Sequence, residues 1–261
     1  MNIYIMVDAE GISGIYSREQ ASLDGTRYDE CRKLITWDIN TCVEAAKEAG
    51  AEKIIVRDAH GAGRNVIWEE LSSKVDYYVV GNGPGNRMPG IEECDGVILL
   101  GYHAMAGTYN GVLEHTFDSK TVQNYWLNGE KAGEIAIDAA IAGDFGKPVI
   151  MVSGDDKACL EAKTLLPWIV TAEVKKGLGC FYSMLLPREK SRVVLSEKTK
   201  EAIANFSNTK PYVPEKPIKL RIELCERCQL PNPGKPYMTI IDGRTFEVES
   251  STMEEAINRR H

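Results

Sequence analysis

Short apolar runs that end in acidic or histidine side chains recur along the first 160 residues, and this feature constrains the fold most strongly. They span residues 2–10, 53–60, 96–104 and 147–156, and a further run at 75–81 lacks such an ending. Runs of this kind are typical of strands that are buried on both faces of a parallel sheet. Helical patterns fill the gaps, so we predict an α/β fold with a layered, mainly parallel sheet flanked by helices.

Three helices are predicted in this part of the chain, at residues 28–49, at 130–145 and from 155 or 156 to 166. The first has apolar residues at helical spacing and stops at Gly50, and the second is rich in alanine. Asp155 or Asp156 is expected to cap the third. Just before the second helix, Asn128-Gly129 predicts the tight turn of a hairpin.

The character of the chain changes beyond about residue 160. Residues 196–206 have the pattern of an exposed amphipathic helix, and residues 218–224 alternate apolar with polar side chains, as in a strand with one solvated face. Asp242-Gly243 predicts a second hairpin. We therefore expect an α/β metal-binding catalytic domain at 1–160 and a smaller α+β subdomain at 161–261.

The composition excludes several classes of protein. The net charge of -7 and the pI of about 5.3 argue against binding to nucleic acid or to an anionic membrane surface. No stretch approaches the roughly 18 consecutive apolar residues of a membrane span, and the first residues do not resemble a signal peptide. The seven cysteines are odd in number and scattered, which favours free thiols in a reducing cytoplasm. Cys225 and Cys228 have CxxC spacing, but without a second pair they do not indicate a zinc site.

Two carboxylates one residue apart, Asp8 and Glu10, follow the first strand. In an extended chain their side chains point to the same side, at the edge where open α/β sheets bind ligands. Converging carboxylates repel each other unless a cation lies between them, so this pair predicts a metal site. The alternative is that both are solvated residues at the end of a strand.

Histidines end two of the other predicted strands, at His60 and His103. Imidazole and carboxylate ligands together suit zinc, with manganese, cobalt or iron as alternatives. His115 follows in a loop, and the terminal His261 is expected to be disordered. A further carboxylate is available near the start of the alanine-rich helix. The residue pattern leaves Glu130, Glu134 and Asp138 open as its source, and also allows a solvated glutamate that is favoured by the helix dipole.

The order and spacing of five motifs resemble those of the DppA-type zinc D-aminopeptidases. The motifs are VDAEGISG at 7–14, DAH at 58–60, GYHA at 101–104, GE at 133–134 and VSGDD at 152–156. The resemblance covers about the first 160 residues and is looser beyond them. The chain departs from the family pattern at Arg57 and Gly61, beside His60, and at Glu114, and these changes bear on substrate preference.

The resemblance implies an α/β metallopeptidase with two zinc ions per subunit. Asp8 would bridge both ions, Glu10 and His103 would complete one site, and His60 and Glu134 the other. His115 matches the family's catalytic histidine. The resemblance also implies a homo-oligomer, a ring-shaped homodecamer that admits only short peptides.

We therefore expect a cytoplasmic dinuclear zinc aminopeptidase that releases an N-terminal residue, such as D-alanine, from short peptides. A hydroxide that bridges the metals would attack the carbonyl. His115 would transfer a proton or stabilise the oxyanion, and direct attack by His115 is the alternative. Asp58 lies two residues before His60 and is a candidate hydrogen-bond acceptor for a ligand imidazole or for the substrate amine, unless it only faces water.

Three other functions remain compatible with the same residues. The first is a different metal-dependent hydrolase that cleaves an amide or a phosphate ester. The absence of a recognisable glycine-rich phosphate loop disfavours the phosphate ester. The second is an aminopeptidase specific for L-residues. The third is a metal-dependent binding protein without catalytic activity, which would bind zinc without turnover.

Overall fold

The structure is a computed structural model that describes residues 1–83, 85–227 and 229–260. Cys228 of the CxxC pair and His261 lie outside the described residues. In the described part of the chain, no helix combines the length and the apolar character that crossing a membrane requires.

Strands and helices alternate along the first part of the chain, as predicted. The strands are β1 (Asn2–Val7), β2 (Lys53–Asp58), β3 (Tyr77–Val79), β4 (Gly96–Leu100), β5 (Val122–Leu127), β6 (Glu130–Lys131), β7 (Val149–Asp155), β8 (Val170–Gly179), β9 (Tyr182–Leu185), β10 (Ile218–Leu224), β11 (Met238–Ile240) and β12 (Thr245–Ser250). The helices are α1 (Arg18–Ala21), α2 (Tyr28–Glu48), α3 (Glu134–Asp144), α4 (Asp156–Leu165), α5 (Arg188–Ala204) and α6 (Met253–Asn258).

The larger sheet has the strand order β3-β2-β1-β4-β7-β8-β9. All neighbours in it are parallel except β8 and β9, which are antiparallel. The central strands β1, β4 and β7 are buried almost throughout, because side chains pack on both faces of the sheet. The structure therefore confirms the α/β class and the layered, mainly parallel sheet.

The smaller sheet is antiparallel and has the order β11-β12-β10-β5-β6. Both predicted hairpins belong to it. Asn128 and Gly129 adopt φ values of 51° and 92° between β5 and β6, the positive φ values that a two-residue hairpin turn needs. This turn also explains why the predicted start of the following helix is wrong. Glu130 and Lys131 pair with β5, so α3 begins at Glu134 rather than at residue 130.

The three other predicted helices are found: α2 where the pattern at 28–49 predicts it, α4, and α5 with a different start. Asp155 caps α4, because its side chain accepts hydrogen bonds from the backbone N–H groups of Lys157 and Ala158. The helix predicted at 196–206 begins eight residues earlier, after Pro187, and packs against α2 and β8. Proline fixes φ without needing a donor, so Pro187 suits the residue before the first turn.

The domain boundary predicted at residue 160 stays a prediction. Each of the two sheets takes strands from both sides of this boundary. β5 and β6 precede residue 160 and join the smaller sheet, whereas β8 and β9 follow it and join the larger sheet. Helix α3 packs in the same core cluster as β10 and β12, so the smaller sheet lies close to the helix that begins at Glu134.

Candidate metal centre

The carboxyl ends of three neighbouring parallel strands carry the predicted ligands. Asp8 follows β1, His60 follows β2 and His103 follows β4, and these strands are adjacent in the sheet. Glu134, the first residue of α3, approaches the same edge. Asp8, Glu10 and Glu134 are each 6% exposed, and His103 is 1% exposed. The structure therefore brings all five predicted metal ligands to one buried cluster.

Two glycines let the turns after β1 and β4, which carry predicted ligands, come into backbone contact. The N–H of Gly11 donates to the carbonyl oxygen of Gly101 at 2.7 Å. A Cβ at Gly11 would lie 1.9 Å from the carbonyl oxygen of Tyr102, and one at Gly101 would lie 2.4 Å from that of Asp8. No side chain fits at such distances, so the close approach of Asp8 and His103 depends on both glycines.

The two oxygens of Asp8 face two different imidazoles. Oδ1 lies 3.0 Å from Nδ1 of His60, and Oδ2 lies 3.3 Å from Nε2 of His103. Glu10 and Glu134 each approach one of these two imidazoles. Glu10 Oε2 is 3.2 Å from His60 Nδ1, and Glu134 Oε1 is 3.2 Å from His103 Nε2.

Backbone carbonyls orient the three histidine rings. Nε2 of His60 lies 2.7 Å from the carbonyl oxygen of Ala21, and Nδ1 of His103 lies 3.0 Å from that of Ala104. Nδ1 of His115 lies 2.9 Å from the carbonyl oxygen of Leu113. A carbonyl oxygen only accepts, so these nitrogens carry hydrogen and the other nitrogen of each ring faces the cluster. Ligand histidines in metal sites are held in this way.

Two candidate ligand atoms, Glu10 Oε2 and His103 Nε2, are buried without a hydrogen bond. Buried polar atoms usually have partners, so orphaned acceptors in a cluster of this composition indicate a cation. The ligand atoms of Asp8, Glu10 and His103 lie within 4.8 Å of one another, as do those of His103, His115 and Glu134. Nitrogen and carboxylate donors at these positions fit zinc.

The electrostatics of the cluster also favour bound positive charge. Burial raises the pKa of Asp8, but the nearby His103 and His60 rings outweigh this effect and hold that pKa well below its ordinary value. Burial likewise raises the pKa of Glu134, but the nearby His103 lowers it further and leaves it at about 2. The carboxylates are therefore ionised, and an imidazolium or a metal ion must balance them.

Asp58 is wholly buried and contacts neither ligand imidazole. Its Oδ2 accepts from the Asn65 backbone at 2.5 Å and from the Tyr78 hydroxyl at 3.1 Å, and its Oδ1 accepts from Asn65 Nδ2 at 2.7 Å. The same Nδ2 donates to the carbonyl oxygen of His60 at 2.8 Å. Asp58 thus reaches the His60 segment through Asn65, a residue that no sequence pattern had indicated.

Two further groups of polar residues near the cluster were missed by sequence reasoning. Arg87 donates to both oxygens of Asp138, at 2.5 and 2.9 Å, and its Nη2 lies 3.4 Å from Glu134 Oε2. The Tyr102 hydroxyl donates to Asp138 at 2.7 Å. Lys175, on β8, is buried behind the turn that carries Glu10. Nothing in the sequence distinguishes these residues from solvated charges.

A cavity of about 1050 Å³ opens over the cluster. Its lining includes Asp8, Glu10, His60, His115 and Glu134, together with backbone and side chains from both sheets. His115 is 15% exposed, and its Nε2 lies 4.0 Å from Glu134 Oε1. A short peptide could therefore reach the carboxylates, the imidazoles and the free nitrogen of His115 from one side.

Comparison with known proteins identifies the family of the chain. A family model described as D-aminopeptidase matches residues 1–260. A D-aminopeptidase of Bacillus subtilis (strain 168) is 33% identical over 224 residues, which are 85% of this chain and 81% of that protein. A solved structure, the Zn-dependent D-aminopeptidase DppA from Bacillus subtilis, a self-compartmentalizing protease, has a TM-score of 0.91 and 31% identity. The alignment covers 98% of this chain and 94% of that one.

The α/β fold, the buried cluster under an open cavity and these matches define a peptide hydrolase of the aminopeptidase type. The chain belongs to the D-aminopeptidase family.

Proposed function

We propose that this protein is a zinc-dependent aminopeptidase that releases an N-terminal D-residue, such as D-alanine, from short peptides. The observation that carries the proposal is the position of Asp8, whose two oxygens face His60 and His103 separately. A carboxylate in this position can bridge two metal ions. The proposed cofactor is therefore two zinc ions per subunit, with manganese, cobalt or iron as possible substitutes.

In the proposed arrangement, Glu10 and His103 complete one metal site with Asp8, and His60 and Glu134 complete the other. The short distances among Asp8, Glu10 and His103 support the first site. The ion pairs of the cluster join His60 with Glu10 and His103 with Glu134, so the opposite pairing is the alternative. Asp58 and Asn65 are proposed to hold the His60 segment in place.

Zinc bound here would supply a Lewis acid that polarises a peptide carbonyl and lowers the pKa of water. The carboxylates of Asp8, Glu10 and Glu134 give the floor of the cavity a negative charge that suits the free ammonium group of a peptide. Glu114 and Asp118 add to this charge along the wall. An aminopeptidase needs such a site, because it must recognise the end of its substrate.

His115 is proposed to move the proton between the attacking water and the leaving amine. Its Nδ1 hydrogen is held by the Leu113 carbonyl, so Nε2 is free to accept and return a proton at the reacting carbonyl. Stabilisation of the oxyanion is a second role open to the protonated ring. Attack by Nε2 to form an acyl-histidine is the alternative, because it requires the same position near the carbonyl.

We further propose that the chain works as a homo-oligomer, a homodecamer by family resemblance, in the cytoplasm. The relative that is described as self-compartmentalizing supports assembly. Large apolar side chains are exposed on and beside the edge strand β9, at Phe181, Tyr182 and Met184, and such a patch suits burial in a subunit contact. Light scattering that shows a monomer would refute the assembly.

The test is to load purified protein with zinc and follow alanine release from matched D-Ala and L-Ala amides and dipeptides. Release from the D series alone is the expected result. Release from the L series would keep the mechanism and overturn the stereochemistry. Cleavage of a phosphodiester dye without release of alanine would identify a different metallohydrolase. Stoichiometric zinc without any turnover would identify a binding protein.

A further inference from the structure

Lys175 is a buried lysine that holds the backbone of a ligand-bearing turn. Its side chain is 1% exposed, and its Nζ donates to the carbonyl oxygens of Glu10 at 2.5 Å, Ile12 at 2.9 Å and Ile15 at 2.6 Å. An ammonium group has three N–H donors, so these carbonyls use all of them. All three carbonyls lie in the segment between β1 and α1.

A β-bulge directs Lys175 to this position. Along the pairing of β7 with β8, Gly154 pairs with Glu173 and the next residue, Asp155, pairs with Lys175, so β8 has one extra residue. Side chains of a regular strand alternate between faces, yet Val174 and Lys175 are both buried. Bulges turn side chains out of the regular alternation and are frequent beside active sites.

Two other contacts hold the same turn from different sides. The N–H of Ser13 donates to Asp38 Oδ2, on α2, at 2.9 Å, and Gly11 donates to Gly101. Of these three tethers, only Lys175 bonds to the backbone of a predicted ligand, at the carbonyl of Glu10. Burial of an ammonium group without a carboxylate as hydrogen-bond partner costs free energy, so a fold that keeps one has to recover that cost elsewhere.

We propose that Lys175 is a positioning residue of the metal centre, which fixes the turn after β1 so that Glu10 and Asp8 are held in the geometry that binds zinc. The proposal rests on the proposed function, since it assumes that these carboxylates bind zinc. Its physical basis is preorganisation. A turn held at three carbonyls does not have to be ordered when the metal binds, so zinc affinity rises.

The direction in which zinc affinity changes when Lys175 is replaced distinguishes this role from two simpler ones. If Lys175 acted only through its charge, removing a cation near the site would strengthen binding of Zn²⁺. If it only stabilised the fold, removing it would lower the stability of the zinc-free and zinc-loaded proteins equally. If Lys175 positions the turn, its removal should lower zinc affinity, because a looser turn binds zinc more weakly. This is the opposite of the change expected from its charge alone.

The experiment is to measure zinc affinity of the full chain by competition with a chromophoric chelator, for wild type and Lys175→Met. Residues that support metal ligands typically contribute about 10–100-fold in affinity, and we expect a loss in that range. Thermal unfolding of zinc-free and zinc-loaded protein gives a second readout. The stabilisation by zinc should be smaller in the variant at the same zinc concentration.

Thr199→Val is a matched control. Thr199, on α5, is equally buried, and its hydroxyl contacts the sulfurs of Cys42, on α2, and Met151, on β7. We expect this variant to lower stability and leave zinc affinity unchanged. Lys175→Gln provides a second variant, because its amide keeps N–H donors without the charge. Its zinc affinity should lie between those of wild type and Lys175→Met.

Unchanged or tighter zinc binding in Lys175→Met and Lys175→Gln would overturn the proposal. If Lys175→Met does not fold, the affinity of Lys175→Gln decides alone. Failure of the premise that these carboxylates bind zinc gives a different result, because wild type itself would then bind no stoichiometric zinc. Failure of the proposed activity alone is seen separately, as zinc-loaded wild type that releases no alanine. Wild type that binds zinc tightly beside variants with equal affinity would refute only the role of Lys175.

Discussion

The imidazole rings of His103 and His115 stack with their centroids 4.1 Å apart and an interplanar angle of 11°. His103 is 1% exposed and turns Nε2 toward Asp8 and Glu134, whereas the side chain of His115 is 15% exposed at the cavity. The two rings differ in surroundings although they are neighbours. The buried ring suits a metal ligand, and the accessible ring suits proton transfer to a substrate.

Replacement of His115 should separate metal binding from turnover. We expect His115→Ala to keep its zinc and to lose about 10²–10⁴-fold in kcat, the contribution of a general acid–base residue. Metal analysis and alanine release from D-Ala amides measure the two effects. Tyr109→Ala is the control, because Tyr109 lies in the same loop region and is 86% exposed. Equal turnover in His115→Ala and wild type would exclude the catalytic role.

Pairs of ligand substitutions should show which residues share a metal ion. In the proposed arrangement, Glu10→Ala with His103→Ala removes two ligands of one ion, so about one zinc per chain should remain. Glu10→Ala with His60→Ala removes one ligand from each ion and should weaken both. Each double variant is the control for the other, and metal content after dialysis measures the outcome. The reverse result would assign Glu10 and His60 to the same ion.

Replacing only one partner of the buried ion pair between Arg87 and Asp138 should lower the stability of the protein strongly. Asp138 is 0% exposed, so Arg87→Met leaves a buried carboxylate without its cation and should lower the free energy of unfolding by about 3–5 kcal/mol. The double variant Arg87→Met with Asp138→Asn should recover part of the loss, because Asn keeps an acceptor for Tyr102 and carries no charge. Urea unfolding measures both. An equal loss in the single and double variants would contradict this explanation.

Asp38 should make stability depend on pH. Burial raises its pKa from 3.8 to about 7, against the lowering effects of the hydrogen bond from Ser13 and the charge of Lys175. The folded state therefore binds a proton more tightly than the unfolded state, so stability falls as the pH rises between the two pKa values. The pKa difference sets an upper limit of roughly 4 kcal/mol on this loss.

The test of this dependence compares urea unfolding of wild type and Asp38→Asn at several pH values between about 4 and 8. Asn keeps an oxygen that can accept the hydrogen bond from Ser13 but does not titrate. Its free energy of unfolding should therefore fall less than that of wild type over this range. Parallel curves for the two proteins would show that Asp38 does not change its protonation between the folded and unfolded states.

Much of the fold was predictable from local patterns. Buried strands produce apolar runs, and hairpin turns need residues that tolerate positive φ, as at Asn128 and Gly129. The start of α3 was placed wrongly because the residues after that turn can form either a helix or a strand. Pairing with β5 decides between the two, and β5 is joined in turn by β10 from the far end of the chain.

The candidate site was also partly predictable. Asp8, His60 and His103 end adjacent parallel strands, and parallel topology brings such ends to one edge of the sheet. Glu134 could be chosen over Glu130 and Asp138 only by family resemblance. In the structure Glu130 lies in the exposed hairpin, Asp138 pairs with Arg87, and Glu134 alone of the three faces His103.

The sequence by itself determined most strands, most helices and the edge at which charged side chains collect, because these depend on periodicity and on short turns. It did not indicate β8 and β9. Only the tertiary structure decided which charges are buried together. Lys175 reaches Glu10 across 165 positions of sequence, and Arg87 reaches Asp138 across 51. The free energy of a buried charge depends on the partners that the whole fold brings to it, and local sequence does not record them.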